Sequence, residues 1–201
     1  MSQSIIYRNI HVYRLVMQIL YGFGYRKRFK KVTKLFPLQT KTVSELCFGD
    51  IYIAEYCRGN KIEWTGFDIN SYFVKRAKKK GFNAIQQDIV KANQISEADV
   101  CVMIGSLYHF NDIIESFLIK IINIAPVIII SEPVKNITSN ENWIGKLAAF
   151  MTNAGKGAET FRFNKDIIIK TMNLYSKKLN FTYSIVSIDR DIIIKIEHVR
   201  N

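Results

Sequence analysis

No acidic residue occurs in the first 44 positions, although nine Lys or Arg do. Proline is scarce, with three in 201 residues, and no segment is repeated or of low complexity. That pattern excludes a long linker and suits one compact domain, 1–201, with a small appendage. The three cysteines, Cys47, Cys57 and Cys101, are odd in number and lack metal-ligand spacing. They argue against a disulfide framework and against a zinc site, and no metal is expected. No apolar run reaches the roughly 18–20 residues of a membrane span, and the longest, APVIIIS and DIIIKI, have strand length. The start lacks the charged, apolar and small-residue order of a secretory signal, so the expected location is the cytoplasm. Glycine is sparse where it matters most. The stretch TVSELCFGDIYIAEYC, 42–57, reads as strand, turn and helix, yet holds one glycine where a nucleotide loop has two or three.

What is present is unevenly placed. The net charge is +12, and positions after 44, with twenty basic and seventeen acidic residues, contribute about +3 of it. A basic, aromatic-rich leading segment attracts anions: phosphorylated metabolites, acidic lipid headgroups or nucleic acid. A solvated basic face is the plainer alternative. Residues 4–21 put Ile5, Val12, Leu15, Val16, Ile19 and Leu20 near one helical face, with Arg8 and Arg14 toward its rim. GFG at 22–24 breaks this helix, and a basic helix over 25–36 ends before Pro37. The two form a cap or lid, 1–41, on a core of 42–201.

From Val43 the pattern alternates. Strands are expected at 43–48, 61–69, 83–89, 98–106 and 126–133, separated by helices at 51–57, 71–81 and 110–125. Helices follow at 142–155 and 164–179. Strands at 181–188 and 191–199 close the chain as an antiparallel hairpin. Strands alternating with helices imply an α/β domain with a mainly parallel sheet.

Ligands of open α/β sheets bind beyond the carboxyl ends of the strands, where the strand order reverses. Carboxylates stand at four of the five expected ends, including Glu45, Asp68, Asp88 and Glu132. Asp68 follows Glu45 by 23 residues, a spacing that suits acceptance from both ribose hydroxyls. Asn70 or Ser71 is available to cap the next helix, which frees Asp68 from that task. Asp88 can accept from an adenine amino group while Ile89 packs on the ring; an ordinary turn aspartate is the alternative. The fourth strand ends at Gly105 and Ser106, followed by Tyr108 and His109.

The ordered set SELCFGD, WTGFDIN, AIQQDIV, ADVCVMIGSLYHF and IIISEP resembles the class I S-adenosylmethionine-dependent methyltransferases over 42–134. The hairpin fits more loosely. The runs DIN…FV and SLYHF…SEPV are similar to a bacterial subgroup acting on small molecules. The resemblance implies a Rossmann-like, mostly parallel seven-stranded sheet with an antiparallel C-terminal strand, helices on both faces and an N-terminal helical cap. It implies S-adenosylmethionine as cofactor and S-adenosylhomocysteine as product. On the family's acidic-x-Gly-x-Gly-x-Gly motif, Glu45 is the acidic position that accepts from the methionine ammonium. Cys47 replaces the first glycine, Gly49 holds the second, and Ile51, replacing the third, packs on the sheet. Phe48 and Ile69 lie beside these positions and join Glu45, Cys47, Gly49, Asp68, Asp88, Ile89, Gly105 and Ser106 as cofactor-binding candidates. A cofactor without phosphates does not need the dense amide cradle of a phosphate loop.

Methyl transfer depends chiefly on holding acceptor and methyl at attack distance in a dry site. A base is needed only when the acceptor must lose a proton early. His109, beside Tyr108, is the candidate base, and Glu132 would orient His109 or the acceptor, or else pair with Lys135 or Arg162. Tyr7, Tyr13, Tyr21, Phe23 and Tyr25 offer aromatic walls, and Arg26, Arg28 and Arg162 offer anion contacts; Tyr21, Tyr25, Arg28 and Arg162 are the acceptor-binding candidates. GKGAETFRF, 155–163, is a further wall and not a phosphate loop, because Ser or Thr does not follow its lysine. The acceptor is expected to be small, and anionic or lipid-linked, with methylation at oxygen or nitrogen. An RNA methyltransferase is one alternative, against which stand the missing Asn/Asp-Pro-Pro-Tyr pattern and the missing RNA-binding module. A non-catalytic methyltransferase-like binding protein is another. Contact of 4–36 with a membrane surface fits any of these.

Overall fold

The computed structural model describes residues 9–22, 24–134 and 161–198. Tyr7, Phe23, Lys135, the expected helix over 142–155 and most of the 155–163 wall lie outside them. Two helices come first, α1 (Ile10–Tyr21) and α2 (Gly24–Thr33). The core then runs β1 (Thr42–Leu46), α3 (Tyr52–Gly59), β2 (Glu63–Asp68), α4 (Ser71–Lys79), β3 (Asn83–Gln86) and β4 (Val100–Ile104). A 3-10 turn (Leu107–Ile113) leads into α5 (Ile114–Ile124) and β5 (Val127–Pro133). The last elements are α6 (Lys165–Lys178), β6 (Thr182–Ile188) and β7 (Asp191–Glu197).

The strands form one seven-stranded sheet in the order β3-β2-β1-β4-β5-β7-β6. β1 to β5 are mutually parallel, whereas β7 runs antiparallel to both β5 and β6. The closing hairpin is therefore as expected, with β7 inserted next to β5 and β6 left at the edge. Strand order reverses between β1 and β4, which opens the ligand crevice at their carboxyl ends.

Alternation of side chains along each strand divides the core in two. Val43, Trp64, Val102, Ile129 and Ile193 pack with Phe29 and Val32 of α2, Ile53 and Cys57 of α3, and Phe73 and Ala77 of α4. Leu46, Phe67, Met103, Ile128, Ile130 and Ile194 pack with Phe117, Leu118 and Ile121 of α5 and with Ile168 and Met172 of α6. Each such buried aliphatic contributes about 1.5–3 kcal/mol relative to exposure. Helix α2 is thus a full member of one helical layer, with Val32 wholly buried, while α1 packs above it.

The inward face of α1 differs from the expected one. Ile10 and Val16 are buried, while Leu15 and Ile19 are exposed. The helix is phased by polar and aromatic contacts that aliphatic periodicity does not register. Tyr13 packs edge-on against Phe73, the Ile10 N–H donates to the Tyr72 hydroxyl, and Arg14 makes two hydrogen bonds to Asp50, at 2.7 and 2.9 Å. Asp50 is buried and also holds Arg76 at 3.3 Å. This carboxylate directly after Gly49 fastens α1 and α4 to the first loop.

Candidate active site

The loop from β1 to α3 is built around two left-handed residues, Cys47 and Gly49, each with φ of 54°. Only glycine adopts this region without cost. Cys47 therefore occupies the first glycine position with the backbone of a glycine, not with a relaxed alternative. Its N–H donates to the Phe67 carbonyl at 2.7 Å. We expect Cys47→Gly to be tolerated and to change stability by at most about 1 kcal/mol, the strain relieved being offset by a more flexible unfolded chain. A urea titration of the two proteins reads this directly. Ile51 caps the start of α3 and is fully buried, as expected for a sheet-packing residue.

Asp68, at the tip of β2, is buried and already at work. One carboxylate oxygen accepts from the Gly49 N–H at 2.9 Å and the other from the Asn70 N–H at 2.8 Å. The side chain of Asn70 caps α4, accepting from the Tyr72 N–H at 2.9 Å. Cap and carboxylate are thus separate, as expected, but Asp68 is not idle: it ties the first loop to the second. A carboxylate has about four acceptor positions, so hydroxyl donors can still be taken. Burial pushes Asp68 up to about 6, and the N–H groups of Asn70 and Gly49 oppose that shift.

Glu45 is also buried, and its Oε2 accepts from the Trp64 indole at 2.8 Å. Burial holds its carboxyl well above the usual range, with the indole pulling the other way. The Trp64 ring lies across Gly66, where an added Cβ would sit 2.1 Å from it, and Phe48 packs edge-on against the same ring at 5.3 Å. The Phe48 side chain is accordingly part of the core, which leaves its backbone for a ligand.

Asp88 adopts the turn geometry of the alternative reading, accepting from the Val90 N–H at 3.0 Å. It lines an open depression together with Gln86, Gln87 and Lys91. Lys120 of α5 secures this turn by donating to the carbonyls of Ile89, Val90 and Ala92 at 2.8–3.1 Å. Ile89 is buried in the core and offers no face to a ring. Ile69 does, being 46% exposed at the tip of β2, where its carbonyl accepts from the Gln86 side chain.

Beyond β4, three of the expected residues meet. The rings of Tyr108 and His109 are 3.9 Å apart, and the Arg162 guanidinium lies 3.9 Å from the centre of the Tyr108 ring. All three are half-buried. Ser106 is buried and its carbonyl accepts from the His109 N–H at 3.2 Å. Gly105 has φ of 69° and donates its N–H to the Ser131 carbonyl. Glu132 is fully buried, and its Oε2 accepts from the Leu107 N–H at 2.9 Å. It thus holds the backbone that carries Tyr108 and His109, by a hydrogen bond to the main chain and not to the His109 ring.

Burial pushes Glu132 up to about 8, reinforced by Asp191 and opposed by the Leu107 N–H and Arg28. A carboxyl raised in the folded state favours folding while protonated, so its contribution is full below the unfolded value of about 4.3 and is lost as pH rises toward the folded one. We therefore expect the wild-type melting temperature to fall between about pH 6 and about pH 8, above the range of Asp68, and Glu132→Gln to flatten that fall. Paired thermal melts across this range check it.

Side chains of α1 and α2 reach the loops at these strand ends. Tyr21 lies between two guanidinium groups, Arg28 at 4.6 Å and Arg190 at 4.2 Å from its ring centre. Burial pushes its phenol up to about 12. Tyr25 is a core residue, packed edge-on against Phe29 and Tyr52. Arg28 is buried and paired with Asp191 at 3.0 Å. Tyr13 reaches over Gly49, its hydroxyl 3.1 Å from where a Cβ would be. Arg28, Arg190, Asp191 and the Glu45–Trp64 pair are the features that sequence reading left unassigned or placed otherwise. Among the described residues no cluster of His, Cys, Asp and Glu suits a metal ion.

No family model and no curated protein matches the sequence. The structure, in contrast, is similar to many solved ones. DhpI, determined as a DhpI-SAM-HEP complex, is 13% identical, with a TM-score of 0.61, covering 98% of this chain and all of that one. The plantazolicin methyltransferase BpumL, in complex with a pentazolic desmethylPZN analog and SAH, is 12% identical with a TM-score of 0.64 over 92% of this chain and 86% of that one. Human N-acetylserotonin methyltransferase in complex with SAM is 18% identical with a TM-score of 0.64 over 96% of this chain, which spans 57% of the human one. With the strand order, the antiparallel β7 and the switch-point loop, these likenesses establish that the chain has the Rossmann-like fold of the class I S-adenosylmethionine-dependent methyltransferases.

Proposed function

We propose that the protein transfers a methyl group from S-adenosylmethionine to the oxygen or nitrogen of a small acceptor. The observation that carries this reading is the junction of Asp68 and Gly49 at the reversal point of the sheet. A buried carboxylate there repels phosphate and accepts from hydroxyls, and the single glycine N–H it engages is not free to cradle a phosphate. A nucleoside without phosphates fits both facts. Asp68 would take the ribose hydroxyls, Ile69 would pack on the base, and Asp88 with its depression would receive the base edge. Gly49, Gly105 and the backbone of Cys47 and Phe48 would face the rest of the cofactor. When bound, the cofactor supplies an electrophilic methyl on a sulfonium.

The chain's own residues do the remainder. A cationic cofactor beneath the cap would draw the Glu45 carboxyl back toward its ionised form. His109, packed against Tyr108, would take the acceptor's proton, and Glu132 would fix the backbone that aims it. Arg162 over Tyr108, with Tyr21 at the cap, would bound an anionic acceptor. Exposed Leu15 and Ile19 on α1, with the lysines of α2, suit a lipid-linked acceptor presented at an anionic surface. No helix among the described residues is long and apolar enough to cross a membrane.

The test is methyl transfer from labelled S-adenosylmethionine to a panel of small hydroxyl, carboxyl and amine acceptors, with and without anionic vesicles, and to bulk RNA. Transfer to a small acceptor, reduced by His109→Ala, supports the reading. Transfer to RNA alone supports the RNA alternative. Cofactor binding with no transfer to any acceptor supports the non-catalytic one.

A further inference from the structure

Arg28 poses a chemical problem that its neighbours do not solve. It is 5% exposed and comes from α2, yet its Nη2 has no hydrogen-bond partner. Asp191 balances the charge at 3.0 Å from Nε, while the same carboxylate oxygen also accepts from the Ser131 hydroxyl at 2.9 Å. A buried guanidinium with an open donor retains part of its desolvation cost, and an anionic partner relieves it. The open nitrogen lies at the switch point, 2.8 Å from where a Cβ on Gly105 would be. Two buried acceptors in the same charged cluster are open as well, Glu132 Oε1 and Asp191 Oδ1. The unpaired Nη2, next to an Nε held to Asp191 only as an ion pair, stands beside two unpaired acceptors, which matches an α-amino-acid group, whose carboxylate accepts and whose ammonium donates.

We infer that Arg28 anchors the α-carboxylate of the cofactor's amino-acid end, against Gly105 at the tip of β4. Arg28 thereby moves from the acceptor's wall to the cofactor's site, and the cap becomes part of cofactor recognition. This rests on the cofactor reading above. No covalent step is involved. Glu132 Oε1 and Asp191 Oδ1 face the adjoining ammonium, the role that the resemblance gives to Glu45, whose Oε2 is engaged by the Trp64 indole.

The test is a cycle in which the ligand supplies one of the two changes. Dissociation constants are measured by calorimetry for S-adenosylhomocysteine and for its decarboxylated analogue, which keeps the amine. The wild-type protein should prefer the carboxylate by about 10- to 100-fold, the range of a charge-assisted hydrogen bond. Arg28→Gln should reduce that preference to less than about threefold, while binding the decarboxylated analogue as wild type does. Because Arg28→Gln leaves Asp191 buried without its ion-pair partner, the double variant with Asp191→Asn is measured beside it. Equal weakening of both ligands would mean that Arg28 only packs the cap, and it overturns the assignment. So does an unchanged preference with a raised KM for a carboxylate-bearing acceptor, which would return Arg28 to the acceptor. The wild-type protein decides by itself if neither variant folds, since equal affinity for the two nucleosides sinks the assignment alone. Binding of neither nucleoside sinks the cofactor reading along with it.

Discussion

Replacing Asp68 by alanine is expected to abolish cofactor binding and to destabilise the protein by about 2–4 kcal/mol, because two buried N–H groups lose their acceptor at once. Those groups belong to Gly49 and Asn70, so the loop after β1 and the start of α4 loosen together. Asp68→Asn is the informative companion. It keeps one oxygen and therefore one of the two hydrogen bonds, and it lacks the charge. Its stability should lie between wild type and Asp68→Ala, while its affinity for S-adenosylhomocysteine falls at least tenfold, a loss of about one charge-assisted hydrogen bond. Urea titration and calorimetry on the same samples separate the two effects. Normal cofactor binding by Asp68→Ala would show that the first loop has been wrongly assigned.

Gly66→Ala carries the largest expected effect on stability. The new methyl would lie 2.1 Å from Trp64 Cη2, 2.3 Å from its Cζ2 and 2.8 Å from Phe48 Cδ1. No real Cβ tolerates such contacts, so the indole has to leave its place. Its hydrogen bond to Glu45 then breaks, and a buried carboxyl loses its donor. Overpacking costs typically about 1–3 kcal/mol, and the lost donor adds about 1–3 more. A drop in the urea midpoint with an unchanged slope is the expected signature. Removing the distal indole ring should relieve most of it: Gly66→Ala should cost much less in a Trp64→Phe background than in wild type, a non-additivity typical of touching residues.

The parts of this molecule that were legible in its sequence are those encoded by local pattern. Five apolar strands separated by helical periodicities specify the parallel sheet, and Asn70 before SYFVKRAKK marks the start of α4. The paired apolar runs at the end of the chain specify the hairpin, though not that β7 would enter beside β5. That depends on register across the sheet, such as Ile130 opposite Ile194, which no local signal states. The 3-10 start of the helix after β4 was likewise hidden, since LYHFNDI has ordinary helical composition.

The site divides along the same line. Residue types at strand ends indicated where the crevice would be, and Tyr108, His109 and Arg162 do meet there. What each carboxylate does inside the crevice depends on partners far away in the chain. Glu45 finds Trp64, Glu132 finds the Leu107 N–H, and Asp50 finds Arg14 and Arg76. Arg28 sits in a helix that reads as a solvated basic face and is nevertheless buried, because Asp191 compensates it from the opposite end of the sequence. Cys47 shows the limit of motif reading in another way. The residue departs from glycine, but its φ of 54° does not.

The most direct test of the whole account is a calorimetric titration of the protein with S-adenosylhomocysteine, repeated in the presence of excess ADP or NAD. A cofactor site built on Asp68 and Gly49, without a phosphate cradle, predicts saturable one-to-one binding that neither phosphorylated nucleotide displaces. Absence of binding, or its displacement by ADP or NAD, would contradict it.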